Sequence, residues 1–178
     1  MTIANPMPET PEGNHDYCVQ DIAPDPSGHL AALIVDQNVQ NATPVLAAFT
    51  AGANGNLTTT NTHLDMPKVS VSNVQWLRMS PSGKFLAVGG EGGLELFHFN
   101  GTNPMTKYKT LLTAGQAFPT QMYWDNNNHL YVIGENQFAQ DAIWVYTVTA
   151  TSVTEAPGSL LVLGLPNDVS DAMIVLPK

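Results

Sequence analysis

Residues 73–101 read NVQWLRMSPSGKFLAVGGEGGLELFHFNG, and this stretch decides the fold. Val74 to Met79 is rich in β-branched, aromatic and large apolar residues, as a strand is. Ser80-Pro81-Ser82-Gly83 supplies a turn, since Pro81 presets φ and Gly83 takes φ > 0 without steric cost. Phe85 to Val88 is a short apolar run bounded by turn residues, the mark of a buried strand. Gly89-Gly90-Glu91-Gly92-Gly93 reads as a second turn, Leu94 to Phe99 as a third strand, and Asn100-Gly101 as the hairpin signal that ends it. Three such strands cannot bury both faces alone, so the unit needs neighbours.

The neighbours are visible in the sequence. Asp25-Pro26-Ser27-Gly28-His29-Leu30 and Asp125-Asn126-Asn127-Asn128-His129-Leu130 both align with Ser80-Pro81-Ser82-Gly83-Lys84-Phe85. Each copy is followed by an apolar strand and then by another, Val45 to Phe49 in the first copy and Ile143 to Val148 in the third. A strand–turn–strand unit recurring every ~40–50 residues is the signature of propeller blades. The expected fold class is therefore all-β, with propeller-type repeats of four-stranded antiparallel blades.

The expected division gives residues 1–15 as an arm or linker and blades over about 16–64, 73–113 and 119–163. The first blade takes strands Tyr17–Ala23, His29–Asp36, Pro44–Thr50 and Leu57–Thr62. The second ends on a fourth strand at Met105–Leu112. The fourth strand of the third falls at Ser152–Glu155 or at Leu160–Leu163, and a spare strand follows at Ala172–Leu176. Closed propellers have roughly four to eight blades, so three leave an open fan. Three readings stay open: a piece of a longer protein, a ring completed by further copies, or a fan covered by a partner.

Composition narrows the function classes. The 178 residues are 43% hydrophobic and only 12% charged, with plentiful Gly and Pro, which fits an all-β chain with many turns and not a disordered one. Six Lys/Arg stand against fifteen Asp/Glu, for a net charge of −9, and the cations are scattered. Nucleic acid and anionic membrane surfaces are thus not expected partners. The single cysteine, Cys18, excludes an internal disulfide and reads as a buried structural thiol. No run is long and apolar enough for a membrane helix, and the N-terminus lacks the basic and apolar regions of a signal peptide. A mature secreted or periplasmic protein fits as well as any other compartment, and the sequons at Asn41, Asn56 and Asn100 do not decide it.

The repeat SPSGKFLAVGGEGGLELFHFNG resembles that of the lactonase-type seven-bladed propellers, the 6-phosphogluconolactonase-like family, with DPSGHLAALIV and NNNHLYVIGENQFAQDAIWVYTV as weaker copies over most of residues 16–165. WD40-like and quinoprotein-like propellers use similar turns. The resemblance implies a propeller with any ligand site at its central channel, and hydrolysis of a sugar lactone as one activity. The motif is structural and carries over no catalytic residue.

The chemistry legible at single residues is sparse. The five histidines show no metal-ligand spacing, so neither metal nor cofactor is expected. His29 and His129 read as exposed turn exits, where Lys84 stands in the middle copy. The glycine cluster at 89–93 lacks the Lys-Ser/Thr and helix of a phosphate loop. The innermost strands, Val19–Ala23, Val74–Met79 and Pro119–Trp124, are expected to line the channel. Arg78 is the one cation on them, suited to a carboxylate or phosphate of a small-molecule ligand or to a salt bridge with a neighbouring blade. Gln75, Gln121, Tyr123 and Asp125 are the other polar candidates, and Trp76, Trp124 and Trp144 are expected between blades. The leading expectation is a binding or assembly module completed by self-association or by a partner. The alternative is the lactone hydrolase.

Overall fold

The computed structural model describes residues 16–62, 64–113, 117–159 and 161–162. The expected arm at 1–15 and the spare strand at Ala172–Leu176 lie outside the described residues. Within them the chain is all β: three antiparallel sheets follow one another, each built from consecutive strands. The first holds β1 (Tyr17–Pro24), β2 (His29–Asp36), β3 (Val45–Ala51) and β4 (Leu57–Thr58). The second holds β5 (Val74–Met79), β6 (Phe85–Gly90), β7 (Gly93–Asn100) and β8 (Asn103–Thr113). The third holds β9 (Ala117–Trp124), β10 (His129–Asn136), β11 (Asp141–Val148) and β12 (Val153–Glu155), and β13 (Leu161–Val162) also pairs with β11. These are the blades of a propeller, with β1, β5 and β9 innermost.

The sheets stack face to face and their cores lie between them. Ala31, Leu33, Leu46 and Ala48 of the first sheet meet Leu77, Leu86, Val88, Phe97 and Phe99 of the second. Ala31 and Ala48 leave room beside Leu33 and Leu46 for the large residues opposite, which lets the layers interdigitate. Phe85, Ala87, Leu94 and Leu96 then meet Met122, Leu130, Val132, Trp144 and Tyr146 of the third sheet. The middle sheet is covered on both faces, and all six residues of β6 are buried. That explains why its sequence is an unbroken apolar run. In β11, by contrast, buried and half-buried residues alternate, because one face alone packs on a neighbour.

Three expectations are corrected in detail. The outer strand of the first blade stops at Thr58 instead of Thr62. Beyond it the side chains take over: Thr59 Oγ1 donates to the Ala48 carbonyl (2.6 Å) and Asn61 Oδ1 accepts from Ala48 N. Backbone pairing resumes where Leu46 N donates to Pro67 O (3.1 Å) and Val69 N to Pro44 O (2.9 Å). In the third blade the two alternatives are both occupied: β12 pairs with Tyr146–Val148 and β13 with Ala142–Ile143. Ala156 N and Ser159 Oγ bridge the gap on Val145. The glycine turn is shorter than the cluster, since Gly90 pairs with Gly93 and only Glu91-Gly92 forms the loop.

The middle turn is also one residue longer than its counterparts. Asp25 N donates to His29 O and Asp125 N to His129 O, whereas Ser80 N donates to Phe85 O. Phe85, and not Lys84, is therefore the structural equivalent of the two histidines.

Candidate functional site

The inner strands carry the five expected channel residues, and their alternation decides where each one goes. The cross-strand pairs Ile22–Ala32, Leu77–Val88 and Met122–Val132 mark equivalent positions on the three blades. Leu77 and Met122 face the preceding blade, Leu77 in the first inter-sheet core and Met122 in the second. Residues one step along face the following blade, as cross-strand partners share a face. Arg78, paired with Ala87, thus turns toward the third sheet, whereas Tyr123, paired with Tyr131, turns outward from it.

The structure consequently does not gather the five residues. Arg78 lies with its guanidinium carbon 4.8 Å from the centre of the Trp76 ring, and its Nη1 donates to the Leu77 carbonyl (2.9 Å). It forms no ion pair among the described residues, because the aromatic face takes the place of a carboxylate. Its own carbonyl accepts from Trp124 Nε1 (3.1 Å), and Trp124 stacks on Phe85 at 6.4 Å. All three tryptophans belong to this second inter-blade core. Gln75 is exposed at the rim of an open cleft between the first two sheets. Gln121 and Tyr123 do meet, with the Tyr123 hydroxyl donating to Gln121 Oε1 (2.9 Å) on the outward face of the third sheet.

Asp125 sits at the opposite end of the blades, in the turn before β10. Its Oδ1 accepts from Asn127 N (2.9 Å) and His129 N (2.8 Å), and its Oδ2 lies 2.7 Å from His129 Nδ1. Asp25 repeats this on Ser27 N, His29 N and His29 Nδ1. Burial works to raise both carboxyls, and the hydrogen bonds from the backbone and the histidine outweigh it, holding both below the ordinary aspartate value of 3.8. The two histidines, expected to be exposed, are half-buried for this reason. The turns also touch one another: Ser82 Oγ donates to Asn128 Oδ1 (2.9 Å), and a Cβ on Gly83 would stand 3.1 Å from Pro26 Cδ. This end of the fan is a fixed collar of turns.

At the other end, the cleft of about 1200 Å³ is lined by Gln20, Asn41, Lys68, Ser70, Asn73 and Gln75 among others. One wall is the connector between the first two blades, held by a buried carboxylate that sequence reasoning missed. Glu95, 1% exposed on β7, accepts from Ser70 N (3.0 Å), from Thr110 Oγ1 and from Lys107 Nζ, and Lys107 also donates to Ser70 Oγ (3.2 Å). Glu95 breaks the apolar run of LELF on a strand buried on both faces, and that break was the available signal. The same connector explains the glycines: a Cβ on Gly90 would lie 2.4 Å from Asn73 O, and one on Gly92 2.3 Å from Ser72 N. Among the described residues no three His, Cys, Asp or Glu side chains cluster as metal ligands. Among the described residues no helix is long and apolar enough to cross a membrane. Cys18, read from the sequence as a buried structural thiol, is exposed on β1, on the face opposite Val19 and Ile22.

The sequence matches no family model and no curated protein.

Proposed function

We propose that this chain is a propeller-type binding and assembly module, incomplete alone, that works through the faces its outermost blades present and is completed by self-association. The observation that carries the reading is the outward face of the third sheet. There Tyr123, Tyr131, Ile143 and Val145 are half-buried on a face with no fourth four-stranded sheet among the described residues. The corresponding face of the middle sheet is fully packed on a neighbour. An apolar sheet face of this kind is a surface for another protein layer. The collar of turns and the Glu95 network support the same reading, since they fix the blades against one another as a scaffold for a binding face. The test is the mass in solution, by light scattering on a size-exclusion column. Twice 19.1 kDa or more is expected, and a clean 19.1 kDa species overturns the self-association.

A further inference from the structure

Equivalent positions on the three inner strands have opposite fates. Leu77 and Met122 are each 1% exposed, yet Ile22, which occupies the same place in its blade, is 54% exposed. Val19, on the same strand, is 48% exposed. In the second and third blades this position is a knob set into the blade before it. Leu77 packs beside Leu33 and Leu46, its N–H donating to Asp21 Oδ2 (3.2 Å), and Met122 Sδ fills the space over Gly89, where a Cβ would come within 2.9 Å. The first blade has the knob and no described blade before it. The rest of that face is already closed, with Ala32, Ile34, Ala47 and Phe49 buried together with Met66. Among the described residues of that face, Val19 and Ile22 on β1 stand open.

From this we infer that β1, through Ile22 and Val19, docks on the outward face of the third sheet of a second copy, head to tail. The inference rests on the self-association proposed above and names its surfaces. The socket in each internal interface is the face that a blade turns toward its successor. On the third blade that face presents the half-buried Tyr123, Tyr131, Ile143 and Val145 around the buried Ile133, paired across β9, β10 and β11. One surface is therefore a knob with no described blade before it and the other a socket with no described blade after it, repeating a contact made twice within the chain. Such a contact is heterologous, so it closes a ring or runs on as a filament. Two copies of the three described blades make six, inside the range of roughly four to eight that closes.

Two single variants and their mixture test this. Ile22→Asp places a charge on the knob, and Val145→Asp one in the socket. Ile22 is solvent-facing in the single chain, so the first variant folds, and circular dichroism verifies both. Each variant alone is expected to associate at least roughly 30-fold more weakly than the native chain, the loss of one buried anchor. Mixing the two restores a dimer, because one intact knob then meets one intact socket. Undiminished association of Ile22→Asp overturns this docking and leaves self-association standing. Loss in both variants without recovery on mixing overturns the head-to-tail arrangement. A native chain that is monomeric throughout overturns the self-association itself.

Discussion

At the scale of the residue, the glycine cluster divides into positions that must be Gly for different reasons. Gly90 and Gly92 sit where the connector backbone presses on the hairpin, and there a side chain has nowhere to go. Gly90→Ala is expected to destabilise by about 3 kcal/mol, since the clash is with backbone that cannot swing aside. Gly28→Ala meets nothing within 4 Å and loses only its φ of +89°, so about 1 kcal/mol is expected. Urea unfolding of both variants measures the difference, and equal costs refute the packing argument. Glu95 is the other single residue on which local structure hangs. Glu95→Gln sets an amide NH2 among donors that need a carboxylate. Breaking a buried ion pair costs about 3–5 kcal/mol, and with Lys107 39% exposed at its side chain about 2 kcal/mol is expected. The accompanying signature is faster hydrogen exchange at Ser70 N, which a general loss of stability would not single out.

At the scale of the element, the two Asp–His turns link fold to pH. Both aspartates have folded values below the ordinary 3.8. Their contribution to stability is therefore complete above 3.8 and is lost as pH falls through the lower folded values. Melting temperature should hold between neutral pH and that point and fall steeply below it. In the double variant Asp25→Asn, Asp125→Asn it should be lower near neutrality and less steep in acid, and an unchanged acid slope would refute the assignment. Strand bounds were partly legible: β2 and β5 fall on the expected residues, because their ends are set by turn chemistry within a few positions. The turn lengths were not. His29, Lys84 and His129 align in sequence, yet the extra residue in the middle turn puts Phe85 in the histidine position, where it stacks with Tyr108 and Trp124. A hydrogen-bonding pattern made that choice, and it leaves no mark in residue spacing.

At the scale of the whole molecule, the contrast among Ile22, Leu77 and Met122 is the informative quantity. Leu77→Ala is expected to cost about 3 kcal/mol, Met122→Ala about the same, and Ile22→Ala less than about 0.5 kcal/mol under conditions where the chain is a monomer. Chemical denaturation at low protein concentration measures all three. A large cost at Ile22 would mean that its side chain is already packed within a single copy. Of the site expected from sequence, only the Gln121–Tyr123 pair is assembled. The inner strands were located correctly, but side chains on a strand alternate between faces and those faces abut neighbouring blades, so they serve sheet-to-sheet packing before any channel.

The sequence by itself determined the class of this protein: strand content from β-branched and aromatic runs, turn positions from Pro, Gly, Asp and Asn, and the order of blades from their repetition. These are local properties, written within a few residues of where they act. The tertiary structure alone decided that Arg78 stacks on Trp76, that Glu95 is buried to pin a connector 25 residues away, and that of three equivalent apolar residues one faces solvent. Those outcomes depend on which blade stands next to which, and burial at an interface belongs to the pair of surfaces and not to either sequence segment.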